Sequence, residues 1–149
     1  MGVEVVPMCS YCGCADITVV GRFMAEHEDI INHLTALRNA PDEAGRSAAA
    51  DAMAHALWPH TDAEETGLFS VLARDELFTD HIASLCAEHV EIGERLAQVR
   101  EGEPGAFESF EKLLREHIDR EDNGLFPASA IHLNGDDWEE VVSLTPPRS

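Results

Sequence analysis

Apolar residues recur at helical spacing along most of the chain, in four stripes that polar residues interrupt. The first stripe is Val20, Phe23, Met24, Ile30, Ile31, Leu34 and Leu37, at intervals of three and four, with Asp16 or Thr18 placed to cap its start. A second, from about Asp42 to Ala73, carries Met53, Leu57, Leu68, Val71 and Leu72, and Pro59 is expected to kink or restart it. The third runs from a Thr79 or Asp80 cap to about Arg100 through Ile82, Leu85, Cys86, Ile92, Leu96 and Val99. The fourth opens at Pro104, suited to a first turn, and passes through Phe107, Phe110, Leu113 and Leu114 to Leu125, where Pro127 marks an end or a kink. Asp136 to Val141 predicts a short fifth helix, and no segment alternates as a strand does. Four helices of about 20 residues with short connections predict an all-α, up-down-up-down four-helix bundle. The expected layout is an N-terminal arm over 1–16, a bundle over 17–143 and a tail over 144–149.

The interruptions are not random. His27 lies in the first stripe, His60 and Glu64 in the second, His89 in the third, and His117 and Glu121 in the fourth. They form a repeat: Ala25-Glu26-His27 matches Ala87-Glu88-His89, and His60 to Phe69 matches His117 to Phe126, each with His-x-x-x-Glu, a second acid and Gly-Leu-Phe. Residues four apart on a helix share a face, so each His-x-x-x-Glu offers an imidazole and a carboxylate to one point. Burying six such groups without partners costs several kcal/mol each, and metal ions remove that cost. Four imidazoles and two carboxylates suit two ions of Fe, Mn or Zn, each with two histidines and a share of both glutamates. Positions left open suit dioxygen, peroxide or nitric oxide as a small-molecule partner.

Composition narrows the partners. A net charge of -19, from 29 acids against 10 Lys and Arg, repels phosphate backbones and anionic lipid, so nucleic acid and membrane are excluded as expected partners. At 149 residues, one domain is expected. The start, Met1 to Pro7, has no basic and apolar signal pattern, Val6 stands where a myristoylation signal has Ser or Thr, and no long apolar run occurs, so a cytoplasmic protein with reduced cysteines is expected.

On these motifs the chain resembles hemerythrin-like proteins with the HHE cation-binding domain, over about residues 18–130. The resemblance implies a four-helix bundle around a non-heme di-iron centre, oxo- or hydroxo-bridged, with His27, His60, Glu64, His89, His117 and Glu121 as ligands. It also implies chemistry on peroxide of the catalase kind, or on dioxygen or nitric oxide; the alternative is an oxygen, redox or iron sensor without turnover. Two departures from the oxygen carriers stand out. The carriers have His-x-x-x-His on the third helix, where this chain has Leu85, and His-x-x-x-x-Asp on the last, where both Glu121 and Asp122 follow His117. The missing histidine opens coordination and favours reactivity over reversible carriage. The repeat favours Glu121; Asp122 replaces it only if the helix bulges.

Among the remaining residues, Glu65 is expected to support a ligand or face solvent, and His81 stands two turns before His89, too far to share its ion on a regular helix. Cys86 reads as a small core residue. Cys9, Cys12 and Cys14 could be incidental thiols, a redox pair, an iron-handling site or part of a zinc site, and Tyr11 beside them could reach the mouth of the bundle. His33 and His132 are expected at the surface, and Trp58 and Trp138 at the bundle ends.

Overall fold

The computed structural model describes residues 17–148, so Cys9, Tyr11, Cys12, Cys14 and Asp16 lie outside the described residues. Those described form helices α1 (Thr18–Arg38), α2 (Glu43–Thr66), α3 (Leu68–Leu72), α4 (Thr79–Glu101), α5 (Ala106–Arg120), α6 (Phe126–His132) and α7 (Gly135–Leu144). A π-helical turn, Glu121–Leu125, joins α5 to α6. Among the described residues there is no strand, and no helix is long and apolar enough to cross a membrane.

Packing, more than capping, sets the helix starts. Neither Thr18 nor Thr79 is a cap: Ile17 and Phe78 precede α1 and α4 without a side-chain cap, and both contribute to the core instead. Asp42 does cap α2, accepting from the Gly45 N–H at 2.8 Å, and Asn134 with Asp137 forms a reciprocal capping box on α7. Pro104 precedes the first residue of α5 rather than entering its first turn.

The break expected at Pro59 does not occur. α2 continues through Pro59, and because His55 and Pro59 are both exposed, water can serve the carbonyl that proline leaves unpaired. The helix ends at Gly67 instead. A Cβ there would lie 2.1 Å from Thr145 Oγ1 and 2.9 Å from the Ala63 carbonyl, so close approach of another segment requires glycine. Pro127 likewise ends nothing: it sits at the start of α6, where its missing N–H costs little.

α1 packs on α2, α2 on α4, α4 on α5, and α5 on α1, which closes a ring; α3 touches α7 and α4. Inside are two apolar clusters. One contains Phe23, Leu68, Phe69, Leu72, Leu85, Leu125 and Phe126; the other contains Ile30, Leu34, Met53, Leu57, Ile92, Leu96, Phe110 and Leu114. Along α1 and α4 the chain passes from the first cluster to the second, and along α2 and α5 it returns. On every one of these helices the interrupting histidine or His-x-x-x-Glu lies between the clusters, so the six polar residues form one layer across the core. Trp58, two residues before His60 on α2, is 43% exposed with its ring over Gly93; Trp138 packs on the first cluster.

Candidate metal centre

Each polar group of the layer is delivered by a rigid helix, and each is nearly inaccessible to water. His27, His60, His89 and His117 are buried, and Glu64 and Glu121 are 0% exposed. Their donor atoms gather as two overlapping groups, His27, His60, Glu64 and Glu121, and then Glu64, His89, His117 and Glu121, with atoms in each within 4.8 Å of one another.

The carboxylates join the two groups. Glu64 turns Oε2 toward His60 Nε2 at 3.0 Å and His27 Nε2 at 3.7 Å, and Oε1 toward His89 Nε2 at 3.1 Å. Glu121 turns Oε1 toward His27 Nε2 at 2.9 Å, and Oε2 toward His117 Nε2 at 3.1 Å and His89 Nε2 at 3.9 Å. One oxygen of each carboxylate therefore faces each histidine pair. All four Nε2 atoms and all four carboxylate oxygens are buried without a hydrogen bond. Eight orphaned donors converging on two points are costly unless a cation fills each point, and hard oxygens with borderline imidazoles are the donor chemistry of Fe, Mn and Zn. The residues fit two such ions.

The outward nitrogens are all satisfied. His27 Nδ1 lies 2.8 Å from Asp122, His60 Nδ1 2.7 Å from Glu26, His89 Nδ1 2.7 Å from Glu65, and His117 Nδ1 2.7 Å from Glu88. An Nδ1–H given to a carboxylate leaves the Nε2 lone pair facing the centre and makes it more basic. Two of these contacts stay within a sequence half, Glu26 with His60 and Glu88 with His117; the other two, Glu65 with His89 and Asp122 with His27, cross between halves.

Gly-Leu-Phe acquires a role from the same crossing. Phe69 stacks on His89 at 5.7 Å and 10°, and Phe126 on His27 at 5.9 Å and 15°, each on an imidazole of the other half. The helix interruption at Gly67 and the π turn at Gly124 occur at the same point of the repeat, just before these rings.

With no ion bound, burial by itself would lower the imidazole pKa values, but the facing carboxylates outweigh it. His60 is pushed up to about 9 by Glu64 and Glu26, and His27 is held well above its usual range by Asp122, Glu121 and Glu64. His89 and His117 are raised in the same way, by Glu64 with Glu65 and by Glu121 with Glu88. Burial would raise Glu64, yet His60, His27 and His89 hold it well below the usual carboxylate range. Without an ion, the facing carboxylates thus favour the protonated imidazoles.

Residues 18–129 match the hemerythrin HHE cation-binding domain. The chain belongs to this family. No curated protein and no solved structure matched it. Leu85 is buried in the first cluster, and the matching position of the repeat on α1 is Phe23, set edge-on to His60 at 5.6 Å.

Sequence reasoning overlooked Glu26, Glu88, Phe69 and Phe126, although the repeat contains all four. Asp122 can replace Glu121 only on a bulged helix; the widened turn is present, but Glu121 keeps its place in the layer and Asp122 meets His27 Nδ1. His81 is exposed, and no metal-holding group among the described residues includes it. His33 is half-buried rather than exposed, His55 is exposed, and exposed His132 pairs with Asp75 at 2.6 Å. Cys86 is half-buried against the first cluster, and burial with nearby Glu65 pushes its thiol up to about 11, which leaves it a weak nucleophile.

Proposed function

We propose that the chain is a non-heme di-iron protein, an up-down-up-down four-helix bundle over residues 17–143 whose centre handles small oxidants. The alternating passage of the long helices between the two apolar clusters supports that topology. The observation that carries the function is the set of eight buried, unpartnered donor atoms arranged as two groups sharing both carboxylates. His27 and His60 would hold one ion, His89 and His117 the other, with Glu64 and Glu121 bridging them.

Bound iron supplies redox capacity and coordination positions that protein donors leave open, suited to peroxide, dioxygen or nitric oxide. The chain's own residues do the rest. Asp122, Glu26, Glu65 and Glu88 fix the tautomer and aim of the four imidazoles by holding the Nδ1 protons. Phe23, Phe69 and Phe126 exclude water beside the layer. Leu85 withholds the donor that the carriers place there, which leaves one position freer for an exogenous ligand. Glu65, with its side chain 42% exposed and in contact with His89, links the layer to solvent.

Iron-loaded protein should evolve oxygen from hydrogen peroxide faster than the same amount of free iron. Turnover no greater than free iron, with a stable spectral change on adding oxidant, would instead establish the second reading, a sensor that binds without turnover; Leu85 in place of a ligand is compatible with both.

A further inference from the structure

The first histidine pair is tied to a segment that lies outside the repeat. After α7 the backbone turns at Thr145 and runs over α1 and the end of α2. Three contacts fix it. Thr145 Oγ1 fills the space over Gly67, Arg22 Nη1 donates to the Pro146 carbonyl at 2.7 Å, and Arg148 Nε lies 3.4 Å from Glu26 Oε2. Arg22 Nε donates to that same oxygen at 2.9 Å, while Glu26 Oε1 holds His60 Nδ1. The last described residue is thereby linked through one carboxylate to an imidazole of the layer. A cavity of about 150 Å³ lies at the contact, lined by Arg22, Glu26, Asp29, His55, His60 and Arg148.

Among the described residues, the second pair lacks this arrangement. Glu88, which holds His117 Nδ1, is engaged by Arg120 from the adjoining helix, and nothing lies within 4 Å of a Cβ built on Gly124, the counterpart of Gly67.

We propose that Thr145–Arg148 is a strap over the α1–α2 side of the centre, with Arg148 a positioning residue that steadies His60 through Glu26. The proposal rests on the two-metal reading and adds that the two ions are unequally held: the one on His27 and His60 is strapped, and no described segment straps the one on His89 and His117. Arg148 shares Glu26 with Arg22 and is itself largely exposed, so its effect is smaller than that of the carboxylate it supports.

The test uses the full chain loaded with zinc, which has no redox chemistry to confound release. Transfer of zinc to a chelator should show two phases. Arg148→Ala should speed one phase about 3- to 10-fold, below the roughly 10- to 100-fold that follows loss of an outer carboxylate, and leave the other phase unchanged. Arg148→Lys should restore most of the difference. In nitrogen-15 NMR of the zinc protein, Arg148→Ala should speed solvent exchange of the His60 Nδ1 proton alone, whereas a general loosening would speed all four. A chain ending at Leu144, which also loses the Thr145 and Pro146 contacts, should speed the same phase at least as much as Arg148→Ala does. If the wild-type chain takes up no zinc, the two-metal reading fails and the strap with it. If it binds two zinc ions but Arg148→Ala changes neither phase, or both equally, the strap alone is overturned.

Discussion

The two halves of the polar layer hold the same residues in different settings. His27, His60 and Glu64 on α1 and α2 correspond one for one with His89, His117 and Glu121 on α4, α5 and the π turn, and in both halves a carboxylate meets each outward nitrogen. Around them the match ends. Phe23 stands where Leu85 does, a helix break at Gly67 where a continuous π turn passes Gly124, and a strap over one side where no described segment covers the other. The repeat thus dictates what the centre binds. The residues outside it give the two positions different surroundings.

The largest effect expected is common to both halves. Glu64→Ala and Glu121→Ala each remove a carboxylate that faces both histidine pairs, so either variant should lose both ions by metal analysis, and the metal-loaded melting temperature should fall toward that of stripped protein. A variant retaining a full complement would break the equivalence.

Next in size is the response to pH, which should reverse when metal is removed. In stripped protein the His60 pKa is about 9 against 6.5 for an ordinary histidine, so its contribution is complete below pH 6.5 and lost as pH rises through 9. Glu64, held below its usual 4.5, contributes above that value and ceases to do so as pH falls through its folded pKa. The melting temperature of chelator-treated protein should therefore decline from pH 6.5 to 9. Metal affinity should rise over the same interval, because ions must displace those protons. A parallel rise of both would contradict the proton-occupied state.

The glycines sharpen the comparison further. Gly67→Ala meets Thr145 Oγ1 and should destabilise by about 1–3 kcal/mol, as overpacking does. Gly124→Ala has open space and should be neutral, or stabilising by up to about 1 kcal/mol, in urea unfolding. Equal losses would mean that the strap does not press on Gly67.

The six residues of the layer could be read in advance because each interrupts an apolar stripe at a repeated position. Their partners could not. Glu26 and Glu88 stand one residue before a histidine, about 100° around the helix from it, and their acceptor role appears only when the neighbouring helix is placed. Phe69 and Phe126 belonged to a visible motif, but each serves an imidazole of the opposite half, which no pattern along one helix reveals. The helix starts at Thr18 and Thr79 fall where the sequence places them, but the residues before them, Ile17 and Phe78, pack on the core and give no side-chain cap. Pro59 suggested a break that exposure made unnecessary, while the break at Gly67 depends on Thr145, distant in sequence.

The central claim is one centre of two ions bridged by both glutamates. Titrating stripped protein with a divalent ion, iron(II) under anaerobic conditions or zinc, and counting bound ions per chain tests it most directly. Two ions per wild-type chain are expected, and none retained after Glu64→Ala. One ion per chain, or two that survive Glu64→Ala, would contradict it.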